Sequence, residues 1–356
     1  MKAPFIWDKY SDQPYPLKDK AYKKKMRSKH LWSYIPLFLT NLIMFPLSIA
    51  IMFWFKGHNS TKKSFYGIGV DLDKGAVQKE LVKELGVKHL LIRMPLWEME
   101  RVEEYVTFAK SFFTESDKHK TADTQILLNI LQDREHIEDE ILLKKDIETI
   151  FEHFSPFVHE FQIGNAINRT KWGFFSMDEY LKWFEIIQKL RDEKYPHLKL
   201  IGSSVIDFEF HYTIRTLFSF FKVRYDKFSS LLYVDRRGSP YRTQMGIFNT
   251  KNKINMLYAL VRLSPKTSNE IYITEVNWPL SKTAPHAPTS ELECVSEEMY
   301  SQYMLAYYDI AKKSRKIERI YWHQLIAAGY GLVDNRGETI RKTEAFYAMK
   351  ALIQSA

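Results

Sequence analysis

The chain has 356 residues, 45% of them hydrophobic and 15% aromatic, enough to bury a core and too apolar for general disorder. Its net charge of +9 does not make it a nucleic-acid binder: residues 1–59 carry ten Lys/Arg against three Asp/Glu, and the other 42 basic and 40 acidic residues nearly cancel. A single cysteine, Cys294, excludes an internal disulfide and a cysteine-rich metal site, and is expected to be a buried, inert thiol.

The first element is apolar. Tyr34 to Phe55, "YIPLFLTNLIMFPLSIAIMFWF", holds no charge over 22 residues, a length of roughly 33 Å as a helix. Trp32 and Tyr34 flank one end, Trp54 and Phe55 the other, as interfacial anchors do. Lys18, Lys20, Lys23, Lys24, Lys25, Arg27 and Lys29 precede it. The positive-inside rule then gives a basic cytoplasmic segment (1–33), an uncleaved single-pass anchor (34–55), a linker (56–63) and a globular domain (64–356) outside a bacterial-type inner membrane. Pro36, Asn41 and Pro46 lie in or near the run. They keep a second arrangement open, a re-entrant anchor with the domain on the cytoplasmic side.

Residues 64–356 alternate short apolar runs with amphipathic ones. The predicted strands are 64–72, 88–95, 124–131, 158–165, 199–206, 228–234, 270–275 and 317–324. Ser176 to Glu179 reads as a capping box opening a helix, with Tyr180, Phe184, Ile187 and Leu190 at helical spacing behind it. Eight strands with helices between them predict a (β/α)₈ TIM barrel, with an open doubly wound sheet as the alternative. "YGIGVDL" has two glycines but lacks the third of a dinucleotide loop. No phosphate loop, zinc helix or calcium loop is present in the sequence, so no cofactor or metal is expected. The segment 281–293, rich in Pro, Ser and Thr, predicts a long loop on the face where barrels keep their sites.

Several strand ends together resemble the clan A glycoside hydrolases, retaining glycosidases built on a (β/α)₈ barrel. "VKHLLIRMPLWE" resembles their second strand, with Arg93 near its end. "FQIGNAINR" resembles the fourth, where Gly-Asn-Glu normally stands. "IYITEVNWP" resembles the seventh, "IYWHQL" the eighth, and "GYGLVDNRGETIRKTEAFYAMKAL" the segment that closes such barrels. The resemblance implies that Glu275 is the nucleophile and that Ala166 stands in the acid/base position. It also implies that Trp322 stacks on a sugar; Arg93, Asn165 and Tyr233 are further candidate substrate-binding residues. A retaining mechanism needs two carboxyl groups about 5–5.5 Å apart, and Ala166 can neither give nor take a proton.

Each residue has a plainer reading beside this one. Glu275 is then a strand-end carboxylate, Trp322 a core residue, Arg93 half of an ion pair, Asn165 a loop-backbone partner, and Tyr233, His211 and His323 packing residues. Arg169 and Lys171 follow the emptied slot, and Arg236, Arg237 and Arg242 follow the sixth strand. They are either solvated surface charges or a site for phosphate or carboxylate. Asp207, His211 and Asp235 are the candidates for a replacement acid. Three functions remain open. One is a membrane-anchored enzyme acting on an envelope glycan, as a transglycosylase for which a phosphate-linked sugar needs little protonation. The second is a non-catalytic carbohydrate-binding barrel for an anionic glycan, and the third a scaffold in polysaccharide or lipopolysaccharide assembly.

Overall fold

The computed structural model describes residues 6–58, 63–113 and 124–355; part of the expected linker, residues 59–62, lies outside them. Two-residue strands β1 (Trp7–Asp8) and β2 (Gln13–Pro14) form a small hairpin, followed by helices α1 (Lys20–Lys29) and α2 (Tyr34–Ile51). Then come β3 (Tyr66–Val70), α3 (Gln78–Leu85), β4 (His89–Pro95), α4 (Val102–Lys110), β5 (Gln125–Leu131), α5 (Arg134–Glu138), α6 (Glu140–Phe154), β6 (Glu160–Ile163) and α7 (Met177–Lys194). After them are β7 (Lys199–Ile206), α8 (Phe210–Leu217), β8 (Lys227–Leu231), α9 (Thr250–Leu263), β9 (Ile271–Ile273), α10 (Glu297–Ser314), β10 (Arg319–Trp322), the short pair β11 (Val333–Asp334) and β12 (Arg341–Lys342), and α11 (Glu344–Gln354).

β3 to β10 pair in parallel and close, β10 hydrogen-bonding to β3. All eight expected strands are present, so the TIM barrel holds and the open sheet does not. Parallel strands buried on both faces alternate inward and outward side chains. Leu91, Leu127, Ile201, Tyr272 and Tyr321, from five strands, form an apolar cluster of their own inside the barrel. Below it Glu160 holds Lys227 at 2.8 Å and Arg319 at 3.8 Å, since charges so enclosed require partners. The paired glycines of "YGIGVDL" have a packing reason. A Cβ on Gly67 would lie 2.5 Å from the Tyr321 ring, so β3 stays bare to admit that ring.

Local chemistry sets the helices. Ser176 caps α7, its hydroxyl accepting from the Glu179 N–H at 3.2 Å, while the Glu179 carboxylate accepts from the Phe175 N–H at 2.8 Å. That return bond falls one residue earlier than in a standard capping box. Cys294 is partly exposed rather than buried, because it follows the open loop residues 290–293.

The apolar helix expected near the N-terminus is present as α2, long and apolar enough to cross a membrane. The helical part of the apolar run, α2, does not stand clear of the barrel. Phe45 stacks on Phe210 of α8 at 4.2 Å, Asn41 Nδ2 donates to the His211 carbonyl at 2.9 Å, and Ser48 and Met52 are buried. The hairpin before it folds back over the C-terminal ends of the strands. In this arrangement residues 6–58 and the barrel form one packed body, where the sequence reading set residues 1–33 and 64–356 apart across a bilayer.

Candidate active site

The mouth is built from the strand ends of the barrel. Glu275 follows β9, and the Tyr233 hydroxyl, two residues past β8, donates to its Oε1 at 2.7 Å. Burial and the neighbouring Glu275 charge push the Tyr233 hydroxyl well above its ordinary pKa, so it remains a donor. Asn165 Nδ2 approaches the other oxygen, Oε2, at 3.4 Å. Asn165 is itself held from several sides. Its N–H donates to Gln132 Oε1 at 2.9 Å, its carbonyl accepts from Gln132 Nε2 at 2.8 Å, and its Oδ1 accepts from Asn129 Nδ2 at 3.1 Å. The carboxylate is therefore oriented by groups that are themselves fixed. Asn129 Oδ1, Gln162 Oε1 and Thr274 Oγ1 are buried in the same region without a protein partner among the described residues. Buried polar groups are normally paired; these three atoms are enclosed by protein in this arrangement.

Ala166 stands on the loop after β6, fully buried at φ 44°. Its methyl offers no proton, and none of the hydrogen bonds of Glu275 described here comes from a second carboxyl group. The candidate replacements are otherwise engaged. Asp207 pairs with Arg169 and, at 3.3 Å, with Arg237; Asp235 lies 3.9 Å from Arg242. His211 lies beneath α2.

The other expected site residues separate into two groups. Arg93 is at the mouth and buried, paired with Asp71 at 2.6 Å, as its plainer reading had it. Burial opposes ionisation of Asp71, but the Arg93 charge outweighs it and holds the carboxyl below its ordinary range. Lys171 also reaches the mouth. Burial brings its ammonium down to about 8 against the pull of Glu275, and its Nζ donates to Gln13 Oε1 at 2.5 Å. Arg169 is not an unbalanced cation, because Glu209 holds it at 2.6 Å and Asp207 binds its other nitrogen. It lines a cavity of about 240 Å³ with Arg27, Tyr34, Asn168 and Tyr212, beside α2.

Trp322 does not meet the sugar-stacking expectation. It is fully buried, stacks on Trp278 at 6.0 Å and on Tyr308 of α10 at 5.7 Å, and donates to the Tyr300 hydroxyl at 2.7 Å. The cause is strand alternation: Tyr321 points into the barrel, so Trp322 points out beneath α10.

The sequence reading missed what covers the mouth. Residues 7–14 lie across it as a strap. Arg93 Nη1 donates to the Asp12 carbonyl at 2.9 Å, Lys74 pairs with the Asp12 carboxylate at 2.8 Å, and the Tyr330 hydroxyl donates to that carboxylate at 2.9 Å. The Trp7 ring packs 5.4 Å from Trp97 and 5.9 Å from Trp172. The long loop after β9 does lie on this face, where the Pro288 carbonyl accepts from Gln13 Nε2 at 3.2 Å. The strap's residues have no periodicity, and their partners lie up to hundreds of positions away, so only folding brings them together.

No family model matches the chain, and no curated protein matches it. Solved structures do. The family 1 β-glucosidase from Thermotoga maritima superposes with a TM-score of 0.59 at 11% identity, covering 83% of this chain and 98% of that one. The same enzyme in complex with methoxycarbonyl-substituted glucoimidazole gives 0.58 at 12%, with the same coverage. The GH39 enzyme from Xanthomonas axonopodis pv. citri gives 0.54 at 11%, covering 83% of this chain and 67% of that one. At such identities the likeness is one of fold, a glycosidase-like barrel.

Proposed function

We propose that this protein is a carbohydrate-active barrel that transfers or releases a sugar from an activated donor, with Glu275 as the attacking carboxylate. The observation that carries this reading is the orientation of Glu275 by Tyr233 and Asn165 at the C-terminal mouth of a glycosidase-like barrel. The apolar slot at Ala166 favours a leaving group that departs without a proton. A sugar phosphate, such as a lipid-linked donor of an envelope glycan, meets that condition, and the Lys171 ammonium near Glu275 supports this choice. Transfer to another sugar, as in transglycosylation, suits this site better than hydrolysis.

The leaving group tests the reading. Turnover of glycosyl phosphates or dinitrophenyl glycosides, lost in Glu275→Ala, is the expected result; efficient turnover of alkyl glycosides that survives this substitution would refute it. A second reading, a non-catalytic carbohydrate-binding or scaffold barrel, is favoured by the same apolar slot and by the strap over the mouth. It predicts glycan binding with no turnover of any donor.

We place the chain at a bacterial-type inner membrane through α2, on the strength of its apolar length and basic flank. The sequence reading set the barrel beyond that membrane from the N-terminus; the seat of the strap on the barrel favours the other arrangement, with both on one side.

A further inference from the structure

α2 has two apolar faces with different surroundings. One, carrying Asn41, Phe45 and Ser48 and continued by Met52 just after the helix, packs on the barrel. The other is open. Ile35, Phe38, Leu42 and Ile43 are exposed on it, as are Trp32 just before the helix at 78% and Trp54 just after it at 77%. Soluble monomers rarely display so long an apolar stripe. Three polar side chains of α2 bond within the protein: Thr40 donates to the Pro36 carbonyl, Asn41 Nδ2 to the carbonyls of Leu37 and His211, and Ser48 to the Phe45 carbonyl, while Asn41 Oδ1 is buried without a partner among the described residues. The donors of these three side chains therefore need no water. Immediately before it, α1 presents exposed Lys24, Lys25, Arg27 and Lys29.

A spanning helix does not fit this packing. α2 runs beside α8 and α9, and a bilayer thick enough to bury its length would also bury those helices. α8 carries the Arg215–Asp178 pair, and α9 exposes Lys251 and Arg262. Their desolvation opposes insertion of the barrel. At the same time the strap ties residues 7–14 to Arg93, Lys74, Lys171 and Tyr330, so the segments on either side of α2 belong to one body.

We propose that α2 lies in the plane of an anionic membrane, its open face in the lipid and the basic residues of α1 on the headgroups, with the strap and the barrel both on the same side. This rests on the membrane reading above and fixes its geometry. Apolar burial and headgroup attraction act together in such interfacial helices. The two tryptophans, one at each end of the stripe, then sit at a single depth.

The full chain with Cys294→Ser, carrying either Lys9→Cys or Leu292→Cys, is labelled by an impermeant maleimide in sealed membrane vesicles. Both positions are exposed, Leu292 at 98%. The expected result is labelling of both from the same side. Labelling from opposite sides overturns the in-plane arrangement and leaves membrane attachment standing. In parallel, purified chain is floated with phosphatidylglycerol and with phosphatidylcholine vesicles. Preference for the anionic vesicles, weakened at least tenfold by Leu42→Glu/Ile43→Glu and by high salt, supports the proposal. Tyr347→Glu, which alters an exposed ring on α11, should leave flotation unchanged, and all variants should melt as the parent does. Failure to float with either vesicle overturns attachment itself. A soluble dimer dispersed by Leu42→Glu/Ile43→Glu, with no flotation, assigns the face to a second copy instead.

Discussion

The proposed role of Glu275 depends on its neighbours. The Tyr233 hydroxyl fixes one oxygen at 2.7 Å, and a hydrogen bond to a charged group contributes about 1.5–3 kcal/mol. Tyr233→Phe should therefore slow sugar transfer roughly 10–100-fold, with KM nearly unchanged, in steady-state assays on an activated donor. Lys171 gives a pH signature. Its pKa near 8 in the folded chain lies below the ordinary lysine value of 10.5, so between these values the unfolded chain holds a proton that the native one lacks. Native stability then rises with pH across that window. Lys171→Met should be the more stable protein below pH 8, by on the order of 1–3 kcal/mol, and its advantage should disappear by about pH 10.5. Thermal melts of both proteins over pH 7–10.5 measure it; a pH-independent difference would contradict the buried ammonium. Trp322 belongs to the core, so Trp322→Ala should cost about 3–5 kcal/mol without changing the affinity of the folded fraction for a sugar. Glu275 and Asn165 were legible as mouth residues because short motifs flank them. Trp322 reads either way in the sequence because an aromatic at a strand end suits either face. Alternation from Tyr321, which lies in the barrel's inner cluster, puts it on the outer one.

At the scale of elements, the strands were legible from their apolar runs and the α7 start from its serine. The strap was not. β1 and β2 are two residues each, too short for any period, and their stability comes from barrel groups remote in sequence. A ligand that reaches Glu275 must compete with that segment, so the observed affinity is lowered by the fraction of molecules in which the strap has lifted. Trp7→Ala/Gln13→Ala removes its aromatic seat and its bond to Lys171. Calorimetry with a fixed oligosaccharide should show tighter binding in this variant, by up to about tenfold if the strap loses 1.4 kcal/mol. Equal affinity would mean that the strap and ligand do not share the mouth. The apolar run itself was legible, but not its placement. Hydrophobicity marks a segment that avoids water, and α2 satisfies that demand partly against α8 and α9.

For the whole molecule, closure of the barrel is what brings Asn165, Tyr233 and Glu275 from three strand ends to one point, and what turns the glycines of β3 into room for Tyr321. The same closure gives a glycosidase-like frame with the buried methyl of Ala166 on the loop after β6, under a cover formed by residues 7–14. The central claim is that Glu275 attacks an anomeric carbon whose leaving group needs no proton. The most direct measurement is intact-mass and peptide mapping of the Trp7→Ala/Gln13→Ala chain after incubation with 2-deoxy-2-fluoro glycosyl donors bearing dinitrophenolate. The predicted result is one fluorosugar per chain, attached to Glu275 and absent in Glu275→Gln. No adduct across a panel of sugars that the protein demonstrably binds, or an adduct on another residue, would contradict it.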